Sequence, residues 1–219
     1  TVTDQSIPNC TVSGNTVDII VRQALNAGTI NGEEIVCYGD NAGIIGSLTA
    51  PSGSKTPYGF AWQKSEYDPA ASSWSAWVTI DGETLTYDPG DLFVKTRFRR
   101  MVTGGCNDIA YTNQVVKSVF SAGVIGNDQK VALNSPPAQL ITLSGPSGGT
   151  PPYLLQWQSS DDRGKSWTDI IGATGDSYTP PALTRTSYYR KKSSFAGFSG
   201  GSYSNVVRVF LADDISPDP

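Results

Sequence analysis

The feature that most constrains this chain is that it repeats itself. Ala27-Gly28-Thr29-Ile30 returns as Ala122-Gly123-Val124-Ile125, an offset of 95 residues. Ala50-Pro51-Ser52-Gly53 and Gly145-Pro146-Ser147-Gly148 stand at the same offset, as do Pro57-Tyr58 and Pro152-Tyr153, and Trp62-Gln63 and Trp157-Gln158. Beyond the tryptophan the offset shortens, as loops of unequal length require. Trp77 and Ile80 align with Trp167 and Ile170, and Tyr87, Pro89 and Leu92 with Tyr178, Pro180 and Leu183. Phe98-Arg99-Arg100 aligns with Tyr189-Arg190-Lys191, and Tyr111-Thr112-Asn113 with Tyr203-Ser204-Asn205. Matches that keep their order over such a length mean tandem copies of one folding unit. A unit of about 95 residues can bury a core without a metal.

The register divides the 219 residues into a first repeat at 27–121 and a second at 122–211. Cys10–Val21 resembles Cys106–Val119, so residues 1–26 are expected to be the last strand of a preceding repeat plus a linker. Residues 212–219, polar and Pro-rich, read as an exit linker. Short joints between neighbours are expected at Ala27-Gly28 and Ala122-Gly123.

Within each repeat the signal is β. The second repeat carries seven short strand-like runs separated by turn residues: 123–132, 138–144, 153–160, 167–171, 176–179, 187–192 and 203–211. Leu155-Gln156-Trp157-Gln158-Ser159 alternates apolar and polar residues, as a strand with one buried face does. The fold expected is all-β: tandem immunoglobulin-like or fibronectin-III-like sandwiches, with Trp157 and Trp62 as central core residues. Leu183 precedes Tyr189 by six residues and Leu92 precedes Phe98 by six, the spacing of a tyrosine corner. Phe98 would keep the packing of that corner and lose its hydrogen bond.

Composition bears on function mainly by exclusion. There is no histidine, which removes the usual general base and the commonest metal ligand. Net charge is −4 with no basic stripe, which argues against nucleic acid. No apolar run is long enough to span a membrane. No nucleophile–base pair, phosphate loop or metal-ligand cluster is present, so no catalytic residue and no cofactor is expected.

Three cysteines remain. Cys37 in EEIVCYG and Cys106 in TGGCND fall in one repeat, where they can face each other across a sandwich. A Cys37–Cys106 disulfide is expected, adding ~4 kcal/mol by closing a long loop; two buried free thiols are the alternative. Cys10 then pairs with a residue of the preceding repeat, and an oxidising, extracellular compartment follows.

Ser160–Trp167 matches the Asp-box pattern S-x-D-x-G-x-[ST]-W and is read as a structural turn, with the carboxylate capping amides and the tryptophan as anchor. Repeat 1 replaces it with a longer insertion, Ser65 to Trp77. The acidic pairs Asp161-Asp162, Asp213-Asp214 and Asp88/Asp91 lack the spaced ligand set of a calcium loop and are read as solvated. Trp74 has no counterpart in repeat 2 and is the candidate for stacking on a glycan.

The stretch Gly148–Lys192 together with Tyr203-Ser204-Asn205-Val206-Val207 resembles a repeat of very large surface proteins of gliding and gut Bacteroidetes. The resemblance covers two full copies and one partial copy, closer in repeat 2 than in repeat 1. It implies export to the cell surface, often by the type IX system, and adhesin-like roles that include gliding-motility adhesins. Many members carry a paired cysteine, which repeat 2 lacks. The expected function is a structural or adhesive repeat segment, a stalk or adhesin array, whose partners are its neighbouring repeats and either surface glycans or a host or substrate surface. Two alternatives are a carbohydrate-binding accessory module of a secreted glycan-degrading enzyme, and a filament subunit associating through strand edges.

Overall fold

The chain is represented by a computed structural model that describes residues 2–3, 11–12, 23–80 and 82–212, with side chains for 23–80 and 82–212 except Cys106. A short antiparallel pair, β1 (Val2–Thr3) and β2 (Thr11–Val12), comes first. Cys10, the rest of the segment before residue 23, and residues 213–219 lie outside the described residues, and with them most of the expected preceding strand and exit linker.

Repeat 1 contains β3 (Thr29–Asn31), β4 (Glu34–Cys37), β5 (Asn41–Ala42), β6 (Gly46–Thr49), β7 (Gly59–Asp68), β8 (Ser73–Trp74), β9 (Val78–Ile80), β10 (Gly90–Asp91), β11 (Thr96–Thr103), β12 (Ile109–Tyr111) and β13 (Val115–Phe120). Its front sheet runs β4-β13-β11-β7-β8, with β9 also on β7 and β12 on β11. Its back layer is the β3–β6 pair, extended by an isolated bridge between Ile45 and Tyr87.

Repeat 2 reproduces this plan with β14 (Val124–Gly126), β15 (Gln129–Val131), β16 (Ile141–Ser144), β17 (Tyr153–Ser160), β18 (Thr168–Asp169), β19 (Ser187–Phe195), β20 (Ser202–Tyr203) and β21 (Val207–Leu211). The front sheet is β15-β21-β19-β17-β18, with β20 on β19. The back layer pairs β14 with β16, and Leu140 bridges Tyr178. Two facing sheets, each repeat closed on its own core, make this a tandem immunoglobulin-like β-sandwich.

The run expected at 123–132 in repeat 2 is two strands, and repeat 1 has the same break. In each unit the chain begins in the back layer, turns at Gly32 (φ 118°) or Asn127 (φ 88°), and continues in the front sheet. There it lies parallel to the last strand, β4 on β13 and β15 on β21. A positive φ turns the chain sharply enough to change sheets, and Gly and Asn tolerate it best.

The cores are homologous residue by residue. Trp62 and Trp157 are fully buried, and their indole N–H groups donate to the carbonyls of Thr84 (3.0 Å) and Gly175 (2.9 Å). An aromatic row follows in each: Trp62–Tyr87–Phe98, with centroids 5.4 and 5.7 Å apart, and Trp157–Tyr178–Tyr189, at 5.9 Å twice. Leu92 and Leu183 cover the far end. Asn113 and Asn205 tie the last strand to the first: each side-chain amide accepts from and donates to the backbone of Ile30 or Ile125, at 2.8 and 2.9 Å.

Candidate functional site

The expected Cys37–Cys106 disulfide does not form; the Cys37 thiol is free. The change of sheet at Gly32 is the reason. It carries Cys37 into the front sheet, level with Phe120 and three residues past Lys117, the partner of Thr96. Cys106 lies in the other direction, in the turn beyond Thr103, which is itself seven residues from Thr96. At ~3.3 Å per residue the two backbones are about 30 Å apart, whereas a disulfide needs Cα atoms within ~7 Å. Burial, and then the neighbouring Asp40 carboxylate, push the Cys37 thiol pKa up, which makes it a poor nucleophile.

What occupies the inter-sheet position is a buried cation. In antibody-type sandwiches the second cysteine follows the corner tyrosine by two residues. Two residues after Phe98 and Tyr189 stand Arg100 and Lys191, both fully buried. Arg100 reaches across to the back layer and donates to Ser47 Oγ (3.0 Å), the Leu85 carbonyl (2.7 Å) and the Ala27 carbonyl (3.0 Å). Lys191 donates to Thr142 Oγ1 (2.5 Å) and lies 3.9 Å from the exposed Asp176 carboxylate. Ser47 and Thr142 are homologous, so the same cross-connection is built twice with different cations. Burial lowers the pKa of both, and Asp176 opposes the shift for Lys191. The sequence holds a signal for this: alternation from buried Phe98 or Tyr189 points the residue two further on into the core.

Tyr189 sits 3% exposed beneath Tyr178. Burial pushes its phenol up to about 12, and a hydrogen bond with the Ser187 side chain pulls the other way.

Among the described residues, the outer face of the front sheet in repeat 1 carries the densest cluster of aromatic and cationic groups. Arg99 lies 4.2 Å from the Trp77 ring centroid and 3.9 Å from that of Tyr111. Arg97 lies 4.7 Å from Trp77 and 4.6 Å from Trp74. Lys95 is 5.7 Å from Trp74 and 5.3 Å from Tyr67, and Tyr67 meets Trp74 edge-on at 5.2 Å. The insertion builds half of this row: β7 runs on to Asp68 and turns into β8, which sets Trp74 opposite Tyr67. Repeat 2 retains only the inner unit, with Arg190 at 4.3 Å from Trp167 and 3.9 Å from Tyr203.

Ser160–Trp167 is a turn held by its own side chains. Asp162 accepts from the Ser166 amide (2.9 Å) and hydroxyl (2.6 Å) and from the Ser160 hydroxyl (2.7 Å), which keep its carboxyl well below the usual range. Gly164 (φ 79°) turns the chain, and Trp167 Nε1 donates to its carbonyl at 3.0 Å. Asp161 pairs with Arg185 at 2.6 Å, and Asp88 accepts from the Gly90 amide at 3.0 Å. Among the described residues no three His, Cys, Asp or Glu side chains converge as a metal set, and no helix is long and apolar enough to cross a membrane.

No curated protein matches the chain at a significant level. Solved structures that resemble it include the Sidekick-1 immunoglobulin domains 1–5, at 14% identity and TM-score 0.40, covering 90% of this chain and 39% of that one. Three N-terminal domains of the bacteriophage RB49 Highly Immunogenic Outer Capsid protein match at 12% and 0.40, covering 85% and 68%. Drosophila OTK extracellular domains 3–5 match at 11% and 0.30, covering 84% and 63%. This chain thus spans less than two fifths of the Sidekick-1 chain. A family model described as a domain of unknown function (DUF8696) matches twice, over residues 26–120 and 121–213, and the chain belongs to that family as two tandem copies.

Proposed function

We propose that the chain is a structural and adhesive repeat segment of a large secreted surface protein, a stalk or adhesin array with no catalytic role. The observation that carries this reading is a joint built twice. Ser121 and Ser147 exchange backbone hydrogen bonds at 2.9 Å where repeat 1 enters repeat 2. Asn26 and Ser52 do the same, at 2.8 and 3.0 Å, where the chain enters repeat 1. Beside each joint a tyrosine closes the turn: Tyr58 donates to the Gly53 carbonyl at 2.6 Å and Tyr153 to that of Gly148 at 2.7 Å. A joint that recurs at the repeat period makes a stiff spacer of any number of units. An extracellular, cell-surface location, and export by a type IX system in a Bacteroidete, are the finer part of the proposal. They are supported by the likeness of repeat 2 to the surface repeats of that group.

Small-angle scattering of the full chain tests the stalk. The expected profile fits one fixed inter-repeat orientation, and inserting Gly-Ser residues between Phe120 and Ser121 broadens it. A broad distribution already present in the native chain would overturn the reading.

A further inference from the structure

We propose that the outer face of repeat 1's front sheet binds an acidic polysaccharide, a chain of uronate sugars, and that repeat 2 spaces rather than binds. The proposal deepens the adhesive reading and rests on it. Three features of the face point to this ligand.

The first is uncompensated charge. Lys95, Arg97 and Arg99 are alternate residues and so share one face, about 7 Å apart. None has a carboxylate partner among the described residues. The nearest acid on the neighbouring strand, Glu66, is paired in register with Thr96, which is buried on the opposite face of the sheet, and it salt-bridges Lys64 there. The residues that do share the face opposite the arginines are Gln63 and Ser65, both neutral. Their contacts use only part of each guanidinium: Arg99 Nε donates to Gln63 Oε1 (2.8 Å), Arg97 Nε to Ser65 Oγ (3.1 Å) and Arg97 Nη1 to Gln114 Oε1 (3.3 Å). The remaining N–H groups match a planar carboxylate. In a chain of net charge −4 this face is a local exception.

The second is the aromatic row. Tyr67, Trp74, Trp77 and Tyr111 hold the cations by ring contacts, so the charged groups are preorganised and bind with little loss of side-chain freedom. Rings beside cations suit a sugar, which offers an apolar face next to its carboxylate. The guanidiniums already lie over the rings, so a uronate meets them through its carboxylate and touches the rings only at their edges, whereas nucleic-acid bases would need open ring faces for stacking.

The third is the comparison inside the molecule. The inner Trp–Arg–Tyr unit occurs in both repeats and is a structural brace of the sheet. The outer part, Tyr67, Trp74, Lys95 and Arg97, occurs only in repeat 1, where Tyr188 and Thr186 stand at the arginine and lysine positions of repeat 2. A purely structural ladder would not need this addition.

Affinity electrophoresis of the full chain in gels containing polygalacturonate is the test. Retardation is expected at low salt, weakening as salt rises. Trp74→Ala and Arg97→Gln, each checked for an unchanged melting temperature, should weaken binding ~tenfold, the effect of losing one good contact. Tyr203→Ala in repeat 2 should bind as the native chain does. No retardation, equal retardation of W74A and R97Q, or tighter binding of a single-stranded DNA oligonucleotide would each overturn the proposal. If binding fails while the scattering profile still fits one orientation, the saccharide site falls and the stalk stands; the reverse result removes the stalk and keeps the site.

Discussion

At the scale of single residues, the two buried cations show one position solved in two ways with different energetic consequences. Arg100 satisfies three acceptors, two of them backbone carbonyls, and its bond to the Ala27 carbonyl is buried. Removing a donor from a buried acceptor costs the desolvation of that acceptor, ~1–3 kcal/mol. Arg100→Met is therefore expected to destabilise repeat 1 by about 2 kcal/mol or more. Lys191 has one hydroxyl partner and a distant, exposed carboxylate. Replacing such a buried charge with an apolar chain of similar volume is often neutral or stabilising by ~1–4 kcal/mol, so Lys191→Met should hold or raise the denaturant midpoint. Urea unfolding of the two variants reads the contrast, and an equal loss from both would refute it. Tyr189 adds a dependence on pH. Its folded pKa, about 12, exceeds the ordinary 10.0, so the folded protein keeps a proton that the unfolded chain has lost. That contribution is complete below pH 10 and disappears as pH rises toward 12. Lys191 works in the opposite sense, since its lowered pKa makes stability rise with pH just below 10.5. Tyr189→Phe, which installs the residue of repeat 1, should flatten the fall of melting temperature between pH 10 and 12. These cations were hard to read from sequence because Arg-Arg and Arg-Lys-Lys look like solvated runs; only the alternation of β11 and β19, every second residue buried, reveals them.

At the scale of elements, what was legible is what period and spacing control. The strands around Trp62 and Trp157 announce themselves by alternation, and the repeat register makes one strand's reading support the other's. The first strand was not legible as two, because a change of sheet needs only one residue of positive φ, and Gly32 or Asn127 is an ordinary turn residue in sequence. That single turn moved Cys37 from an expected inter-sheet bridge to a free thiol. It also created a parallel pair that each repeat secures differently. In repeat 1 the fully buried ammonium of Lys117 on β13 donates to Glu34 Oε1 (2.5 Å) and the Gly43 carbonyl (2.7 Å), while the Gly43 amide donates to Glu34 Oε1 (2.5 Å). In repeat 2 the lysine position is Val209 and the glutamate is Gln129, whose amide alone satisfies Ala138, donating to its carbonyl at 2.9 Å and accepting from its N–H at 2.6 Å. The second arrangement needs no charge. Lys117→Val alone leaves Glu34 without its counter-ion and Gly43 without its donor, and should cost ~1–3 kcal/mol. Adding Glu34→Gln imports the solution of repeat 2 and should recover most of that loss. A double-mutant cycle measures the coupling, and additivity of the two losses would show that the repeats do not share this joint.

At the scale of the whole molecule, the repeats are coupled through Phe120, the last residue of β13 and fully buried. Its ring meets Phe195 edge-on at 5.0 Å, Phe198 at 5.6 Å and Tyr153 in a stacked arrangement at 5.9 Å, all three from repeat 2. The backbone beside it is as close as chemistry allows: a Cβ added at Gly148, where φ is 76°, would stand 2.1 Å from the Val119 carbonyl oxygen. Gly53 stands in the same relation to the Ala24 carbonyl, at 2.1 Å, on the entering side of repeat 1. The apolar contact and the close backbone approach make different demands, so they can be separated. Phe120→Ala removes ring contacts and leaves the backbone path unchanged; truncating a buried Phe costs ~3–5 kcal/mol, and here the loss falls on the joint. Gly148→Ala keeps every ring and forces the backbones apart. Both variants should turn a shared thermal transition into two and broaden the scattering profile, with each repeat retaining the near-ultraviolet signal of its buried tryptophan. Differential scanning calorimetry separates the cases. Two transitions in either variant against one in the native chain would show that the joint transmits stability, as a stiff array requires. A single transition in all three would mean that the repeats fold and melt independently, and stiffness would then have to come from geometry at the joint without any energetic coupling across it.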